Sequence, residues 1–334
     1  MRIVVADDSS FFLRLLSEEL RNRGFEIAAA VGDGDAALSA CRTYRPDALT
    51  LDLAMPGLDG VGVLKELRRL MLPTPVVVVS AFSPSHGARA VDALAEGALE
   101  LVSKPSGGVR IGTFIDELVE KLHLAAVTRR NGVAPHPVAV RPRPRSGGRR
   151  TVLVACSTGG PRALAAITPR LPSPLGNGTL IIQHMPSGFT HSLAERLDRD
   201  AKLSIREAAA GDVLAPGLAL LAPGGKHVRL TDSGAIRLTE EPPIGGLRPR
   251  ADVTIADAAR IYGERLLLVV LTGMGKDALE GAREVSKRGG RILAEAESTC
   301  TVYGMPRAVV EARLADEVVE LDALPEAIAA EAAA

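Results

Sequence analysis

Residues 2–8 read Arg2-Ile3-Val4-Val5-Ala6-Asp7-Asp8, a short apolar run that stops on two acids. The same form recurs through the first third of the chain. Ala48-Leu49-Thr50-Leu51 stops at Asp52, Val76-Val77-Val78-Val79 at Ser80, and Leu99-Glu100-Leu101-Val102-Ser103 at Lys104-Pro105. These runs read as short buried strands of an open parallel α/β sheet, whose carboxyl ends share one edge where ligands bind. Asp7, Asp8, Asp52, Ser80 and Lys104 are therefore expected in one crevice. Clustered carboxylates repel one another unless a cation lies among them, and oxygen donors suit Mg²⁺. A carboxylate beside Mg²⁺, a hydroxyl and an ammonium is a place to accept a phosphoryl group.

With 334 residues the chain exceeds one ordinary core, so two domains are expected. Apolar content of 46% and charged content of 24% fit a soluble globular protein, and zero formal net charge gives no general attraction to nucleic acid or membrane. There is no charged-then-apolar leader and no apolar run near about 18 residues, so neither secretion nor membrane insertion is expected. Cys41, Cys156 and Cys300 are far apart and lack metal-ligand spacing, which favours the reducing cytoplasm.

The domain boundary is legible. Phe114, Ile115, Leu118, Val119 and Leu122 are spaced as the apolar face of a last helix over 113–126. Residues 127–150 are rich in Pro, Arg and Gly and lack apolar periodicity, as in Arg141-Pro142-Arg143-Pro144-Arg145. Such a segment buries too little to fold alone and reads as an extended linker. The expected domains are 1–126 and 151–334.

A second βα series begins at Thr151-Val152-Leu153-Val154-Ala155-Cys156, which runs into Ser157-Thr158-Gly159-Gly160-Pro161 and then a helix. Pro161 suits a first helical turn, where its missing N–H costs nothing. A serine on this tight turn lies beside helix N–H groups, a setting for a nucleophile whose reaction builds an oxyanion. The same glycine-rich turn would also cradle a phosphate. Two later strand ends favour the nucleophile. Thr179–Gln183 ends at His184, and 265–271 ends in Thr272-Gly273-Met274-Gly275-Lys276-Asp277. Serine, histidine and aspartate on one sheet edge can serve as nucleophile, base and orienting group. The chain order Ser, His, Asp differs from the common serine-hydrolase orders.

The stretches Val5-Ala6-Asp7-Asp8-Ser9, Leu51-Asp52-Leu53-Ala54-Met55-Pro56-Gly57-Leu58-Asp59-Gly60, Ser80-Ala81 and Lys104-Pro105 resemble the receiver domain of two-component response regulators. That likeness covers about residues 1–124 and implies a flavodoxin-like fold. Within it, Asp52 would be the phosphoacceptor, Asp7 and Asp8 would help bind Mg²⁺, and Ser80 and Lys104 would touch the phosphoryl oxygens. Cys156-Ser157-Thr158-Gly159-Gly160-Pro161, Gln183-His184-Met185-Pro186, Leu221-Ala222-Pro223-Gly224-Gly225-Lys226-His227, Thr272–Asp277 and Val302-Tyr303-Gly304-Met305-Pro306-Arg307 resemble the bacterial chemotaxis protein-glutamate methylesterases, over about 151–325.

The resemblance implies two doubly wound α/β domains, the second an α/β serine hydrolase with no cofactor of its own. It implies hydrolysis of glutamate methyl esters on methyl-accepting chemoreceptors, deamidation of receptor glutamines, and phosphorylation by a chemotaxis histidine kinase. Ser157, His184 and Asp277 match the catalytic positions, and the backbone at Thr158 and Met274 would stabilise the oxyanion. An unphosphorylated receiver would block the catalytic cleft. Four positions depart from the patterns. Leu101 stands where receivers place an aromatic switch residue. Cys156 replaces a smaller residue. Arg250, in Arg248-Pro249-Arg250-Ala251-Asp252, stands for the serine of Arg-Pro-Ser-x-Asp, and Glu295 stands for a glutamine. On the residues alone two further outputs stand beside the hydrolase. One is a C-terminal module that binds receptor or kinase without catalysis. The other, DNA binding, lacks a basic recognition helix after the receiver.

Overall fold

The computed structural model describes residues 1–81, 84–105, 111–130 and 148–333. The chain divides into two compact units, Met1–Val133 and Ala134–Ala334. Most of the expected linker, residues 131–147, lies outside the described residues.

The first unit holds five parallel strands: β1 (Arg2–Ala6), β2 (Glu26–Val31), β3 (Ala48–Leu51), β4 (Val76–Ser80) and β5 (Glu100–Ser103), in the order β2-β1-β3-β4-β5. Between and after them run α1 (Ser10–Asn22), α2 (Gly34–Tyr44), α3 (Gly60–Arg69), α4 (Pro84–Ala95) and α5 (Ile111–Arg130). β3 and β4 are buried along their whole length, as sheets covered on both faces require. Polar side chains start three of the helices. Ser9, Asp33 and Asp59 each accept a backbone N–H of the first turn. The strand order reverses at β1 and β3, so their carboxyl ends open the crevice in which such sheets bind ligands.

α5 runs past the expected end at 126 and reaches Arg130. Phe114, Ile115, Leu118, Leu122 and Ala125 are buried against Ile3, Val5, Val77 and Val102. The next sequence signal able to stop a helix is Gly132, so the backbone ladder continues into the basic stretch.

The second unit is built on seven parallel strands: β6 (Thr151–Cys156), β7 (Thr179–Gln183), β8 (Ser204–Glu207), β9 (Leu218–Leu221), β12 (Leu266–Val270), β13 (Arg291–Glu295) and β14 (Glu317–Val319). Their order is β14-β13-β12-β6-β7-β9-β8. An antiparallel pair, β10 (His227–Leu230) and β11 (Ile236–Thr239), stands apart from this sheet. The helices are α6 (Gly160–Ile167), α7 (Phe189–Asp198), α8 (Ala251–Tyr262), α9 (Leu279–Lys287), α10 (Met305–Glu311) and α11 (Leu324–Ala333). The chain leaves β6 toward β7 on one side and later returns to β12 on the other. The centre of the sheet is therefore its switch point, and the carboxyl ends of β6, β7 and β12 lie side by side.

The folded unit begins before Thr151. Arg150, read from its composition as the last linker residue, is buried at 1% exposure. Its N–H donates to Ala332 O at 2.9 Å, and its Nη1 lies 3.4 Å from Glu331 Oε2. Arg291 pairs with the same Glu331 at 3.2 Å and with Asp316 at 3.3 Å. Buried charges persist only when paired, and here the partners arrive from the far end of the chain on α11. Among the described residues no helix is long and apolar enough to cross a membrane.

Candidate functional site

In the first unit, β1 delivers Asp7 and Asp8, β3 delivers Asp52, and β5 delivers Lys104 to one edge. Asp7, Asp8 and Asp52 each offer a carboxylate oxygen, and these lie within 4.8 Å of one another. Asp7 and Asp52 are buried and Asp8 is exposed. Three hard oxygen donors this close, one open to solvent, fit a Mg²⁺ ion that keeps part of its water shell. Lys104 Nζ lies 2.7 Å from Asp7 Oδ2 and 2.9 Å from Asp52 Oδ2. Burial pushes the Lys104 ammonium down, but the two carboxylates outweigh it and hold its pKa above the ordinary value. Burial raises Asp7, with the charge of Asp52 adding to it, against the opposing pull of Lys104 and the Ser9 N–H. The other oxygen of Asp52 accepts the Leu53 N–H at 2.7 Å.

Ser80 is buried at the end of β4, where its own carbonyl accepts the Lys104 N–H at 2.9 Å. Its hydroxyl turns to Ala81 O at 3.4 Å. Leu101, at the usual aromatic position, is buried in β5. Sequence reading missed Phe12, whose ring lies 4.6 Å below the Lys104 ammonium. It covers one side of that cation with an aromatic face.

In the second unit the register pairs Cys156 with Gln183, so Ser157 and His184 follow on adjacent strand ends. The His184 N–H donates to Cys156 O at 3.1 Å. Gly159 has φ +79°, a conformation side chains resist, and it lets the chain turn from Ser157 straight into α6. From the loop after β12, Thr272 O accepts the Ser157 N–H at 3.0 Å, and the Thr272 hydroxyl donates to Thr158 O at 2.9 Å. Gly273 approaches so closely that a Cβ there would lie 2.8 Å from Ser157 Cβ. Met274 follows Gly273 in the chain with its side chain exposed, and Thr158 is buried.

His184 Nε2 lies 2.8 Å from Asp277 Oδ2. Asp277 is nearly fully buried and accepts N–H groups from Ala251 at 2.6 Å, Asp252 at 2.9 Å and Ala278 at 2.9 Å. Burial alone would raise its carboxyl. The His184 hydrogen bond and charge, with the two α8 N–H groups, more than reverse this and hold it well below the carboxylate range. With Nε2 committed to Asp277, Nδ1 is the nitrogen left for Ser157. Among the described residues no hydrogen bond yet joins Ser157 Oγ to His184, a contact that in hydrolases often closes only around substrate.

Three residues named in the sequence patterns, without a role in the chemistry, support the site. Gln183 Nε2 donates to Ser157 O at 2.9 Å and His184 O at 2.8 Å. Arg250 Nε lies 2.9 Å from Asp277 Oδ1. Glu295 Oε2 accepts the Thr272 N–H at 2.8 Å, which an amide oxygen would do equally well, so this departure keeps the contact. Cys156 is fully buried with Sγ 3.0 Å from Gln183 Oε1, and burial, aided by Glu295, pushes its thiol up. It is a packed thiol with no nucleophilic character. His227 is also buried. Its Nδ1 accepts the Arg250 N–H at 3.3 Å and its Nε2 faces Pro242 O at 3.2 Å, which fixes a structural role.

An acidic strand-end cluster with its lysine, followed by a second parallel sheet that carries serine, histidine and aspartate, is the layout of a response regulator joined to an α/β hydrolase. The response regulator receiver domain family matches residues 3–116, and the CheB methylesterase family matches residues 152–328. A protein-glutamate methylesterase/protein-glutamine glutaminase of Symbiobacterium thermophilum is 42% identical, over 98% of this chain and 96% of its own length. One of the same name from Pyrococcus abyssi is 36% identical, over 98% and 92%. The crystal structure of the Thermotoga maritima CheB methylesterase catalytic domain superposes with a TM-score of 0.53 at 40% identity, covering 55% of this chain and 99% of that domain. The chain belongs to the CheB methylesterase family.

Proposed function

We propose that this protein is a phosphorylation-regulated protein-glutamate methylesterase that also deamidates glutamine side chains. Its substrates are methyl-accepting chemoreceptors, and it works in the cytoplasm. Ser157 is the nucleophile, His184 the general base and acid, and Asp277 the group that orients the imidazole. The observation that carries this reading is the 2.8 Å contact of His184 Nε2 with Asp277, on the strand end beside the one that bears Ser157.

Nδ1 of His184 takes the Ser157 proton as Oγ bonds to the ester carbonyl carbon. Asp277 stabilises the imidazolium and keeps the ring turned. Backbone N–H groups at Thr158 and Met274 receive the oxyanion, and loss of one such donor costs about 2.7–4 kcal/mol in the barrier. As the tetrahedral species collapses, the bond to the methoxy oxygen breaks and His184 hands over its proton, so methanol leaves. On a glutamine the leaving group is ammonia. Water then adds to the glutamyl-Ser157 ester, His184 again takes the proton and returns it to Oγ, and the glutamate carboxylate departs.

In the first unit Asp52 accepts a phosphoryl group from a chemotaxis histidine kinase. Asp7, Asp8 and Asp52 would hold Mg²⁺, which when bound neutralises charge on the phosphoryl oxygens. Ser80, at the end of β4, and Lys104, 2.9 Å from Asp52, would contact the same oxygens.

The test is methanol release from methylated receptor membranes, with and without a small phosphodonor, beside labelling by a fluorophosphonate. Wild type should label at Ser157 and release methanol faster with the donor. Near wild-type methanol release by Ser157→Ala would end the proposal.

A further inference from the structure

We propose that Arg250 is a positioning residue for His184: it clamps Asp277 to α8 and shares that carboxylate's charge, so that the base stays free of a proton to lower pH than a neutral side chain would allow. This rests on the Ser157–His184–Asp277 reading.

Arg250 occupies the residue before α8, in extended geometry, and makes no side-chain cap there. Serine, which stands here in the family pattern, usually accepts an N–H of the first turn at such a position. Asp277 caps the helix from the facing loop, through the N–H groups of Ala251 and Asp252. The Arg250 side chain is free to turn back along the cap. Its Nε lies 2.9 Å from Asp277 Oδ1 and its Nη2 donates to Asp252 Oδ2 at 2.8 Å, with only 19% of the side chain exposed. Two largely buried carboxylates are thus held side by side with one guanidinium as the cation of both. Asp252 Oδ1 accepts the Gly281 N–H at 2.9 Å, which ties the same clamp to α9.

Among the described residues the charged and titratable groups linked to the His184–Asp277 pair come from three elements. Asp277 comes from the loop after β12, and Arg250 and Asp252 from the start of α8. His227 of β10 holds the Arg250 backbone and has both ring nitrogens engaged. Lys276 is solvent-exposed. Asp277 therefore divides its attraction between Arg250 and His184. A carboxylate already neutralised by a guanidinium at 2.9 Å favours a neighbouring imidazolium less than a free one does. Removing the guanidinium returns the full field to His184, so the sign is fixed: the acid limb of activity must move to higher pH.

The experiment follows the rate of fluorophosphonate labelling in the full chain across about pH 5 to 9, the range in which imidazole titrates. Arg250→Ser should move the acid limb up by about half a pH unit or more, and Arg250→Lys, which keeps the charge, by less. If Arg250→Ser does not melt cooperatively, Arg250→Gln, which keeps much of the stem, takes its place with the same expectation. A limb that stays at the wild-type position in the folded neutral variant overturns the proposal. A wild type that fails to label at Ser157 overturns the triad reading instead.

Discussion

The Gln183 side-chain amide bridges the two chemical strand ends, with Nε2 2.9 Å from Ser157 O and 2.8 Å from His184 O. One NH₂ group thereby ties the backbones of Ser157 and His184 together. Its oxygen faces the Cys156 thiol at 3.0 Å, so both ends of the amide are engaged.

Gln183→Leu removes both donors and leaves the buried Ser157 carbonyl and the part-buried His184 carbonyl without them, at a cost of about 1–3 kcal/mol where water cannot reach. The expected result is a lower melting temperature together with slower methanol release. Full activity in a folded Gln183→Leu protein would show that the bridge does not set the site.

Ser157→Ala should abolish methanol release, and His184→Ala should be nearly as severe because the two act as one unit. Asp277→Asn should lower turnover by on the order of 10⁴-fold, as loss of the orienting carboxylate does in other triads. Intact circular dichroism spectra would separate these losses from misfolding.

Asp277 also links stability to pH. Its folded carboxyl titrates below the unfolded value of about 3.9, so folding favours the ionised form. The resulting stability is fully present above about pH 4 and is lost as pH falls toward the folded value, with a magnitude on the order of 1–3 kcal/mol. The stability gap between wild type and Asp277→Asn should therefore narrow in denaturant melts taken between about pH 5 and pH 3. A constant gap would place the carboxylate's contribution elsewhere.

A small phosphodonor with Mg²⁺ should label Asp52, and Asp52→Asn should block the label. Asp8→Ala should move the Mg²⁺ midpoint for labelling to higher concentration, because it removes one of the three carboxylates that would hold the ion. Mass spectrometry of the labelled protein reads both results, and full labelling of Asp52→Asn would put the acceptor at another residue.

Glu331 faces Arg150 and Arg291 at the buried end of the second unit. Glu331→Ala strips both guanidinium groups of a partner and should destabilise this unit by about 3–5 kcal/mol. Thermal melts of the full chain should show one transition's midpoint fall; an unchanged profile would mean that the remaining partners, Asp316 for Arg291 and the Glu264 carbonyl for Arg150, suffice.

Local sequence determined which polar residues reach the carboxyl edges of the two sheets. Apolar runs that stop on Asp7, Asp52, Lys104, Ser157 and His184 read as strands covered on both faces, and a polar residue that ends such a run falls at the sheet edge, where other polar groups can partner it even when it is buried. The glycine pair after Ser157 marked its turn, and the family pattern singled out Asp277. The tertiary structure alone decided what surrounds those groups. Gln183 reaching Ser157, Arg250 reaching Asp277 and Arg150 reaching Glu331 join residues 26, 27 and 181 positions apart. The run of arginines before Thr151 carries the composition of a solvated linker, and only the arrival of α11 makes burial of the last one favourable. A side chain's partner depends on which strands become neighbours, and that order is set by the packing of the whole sheet, which no local pattern encodes.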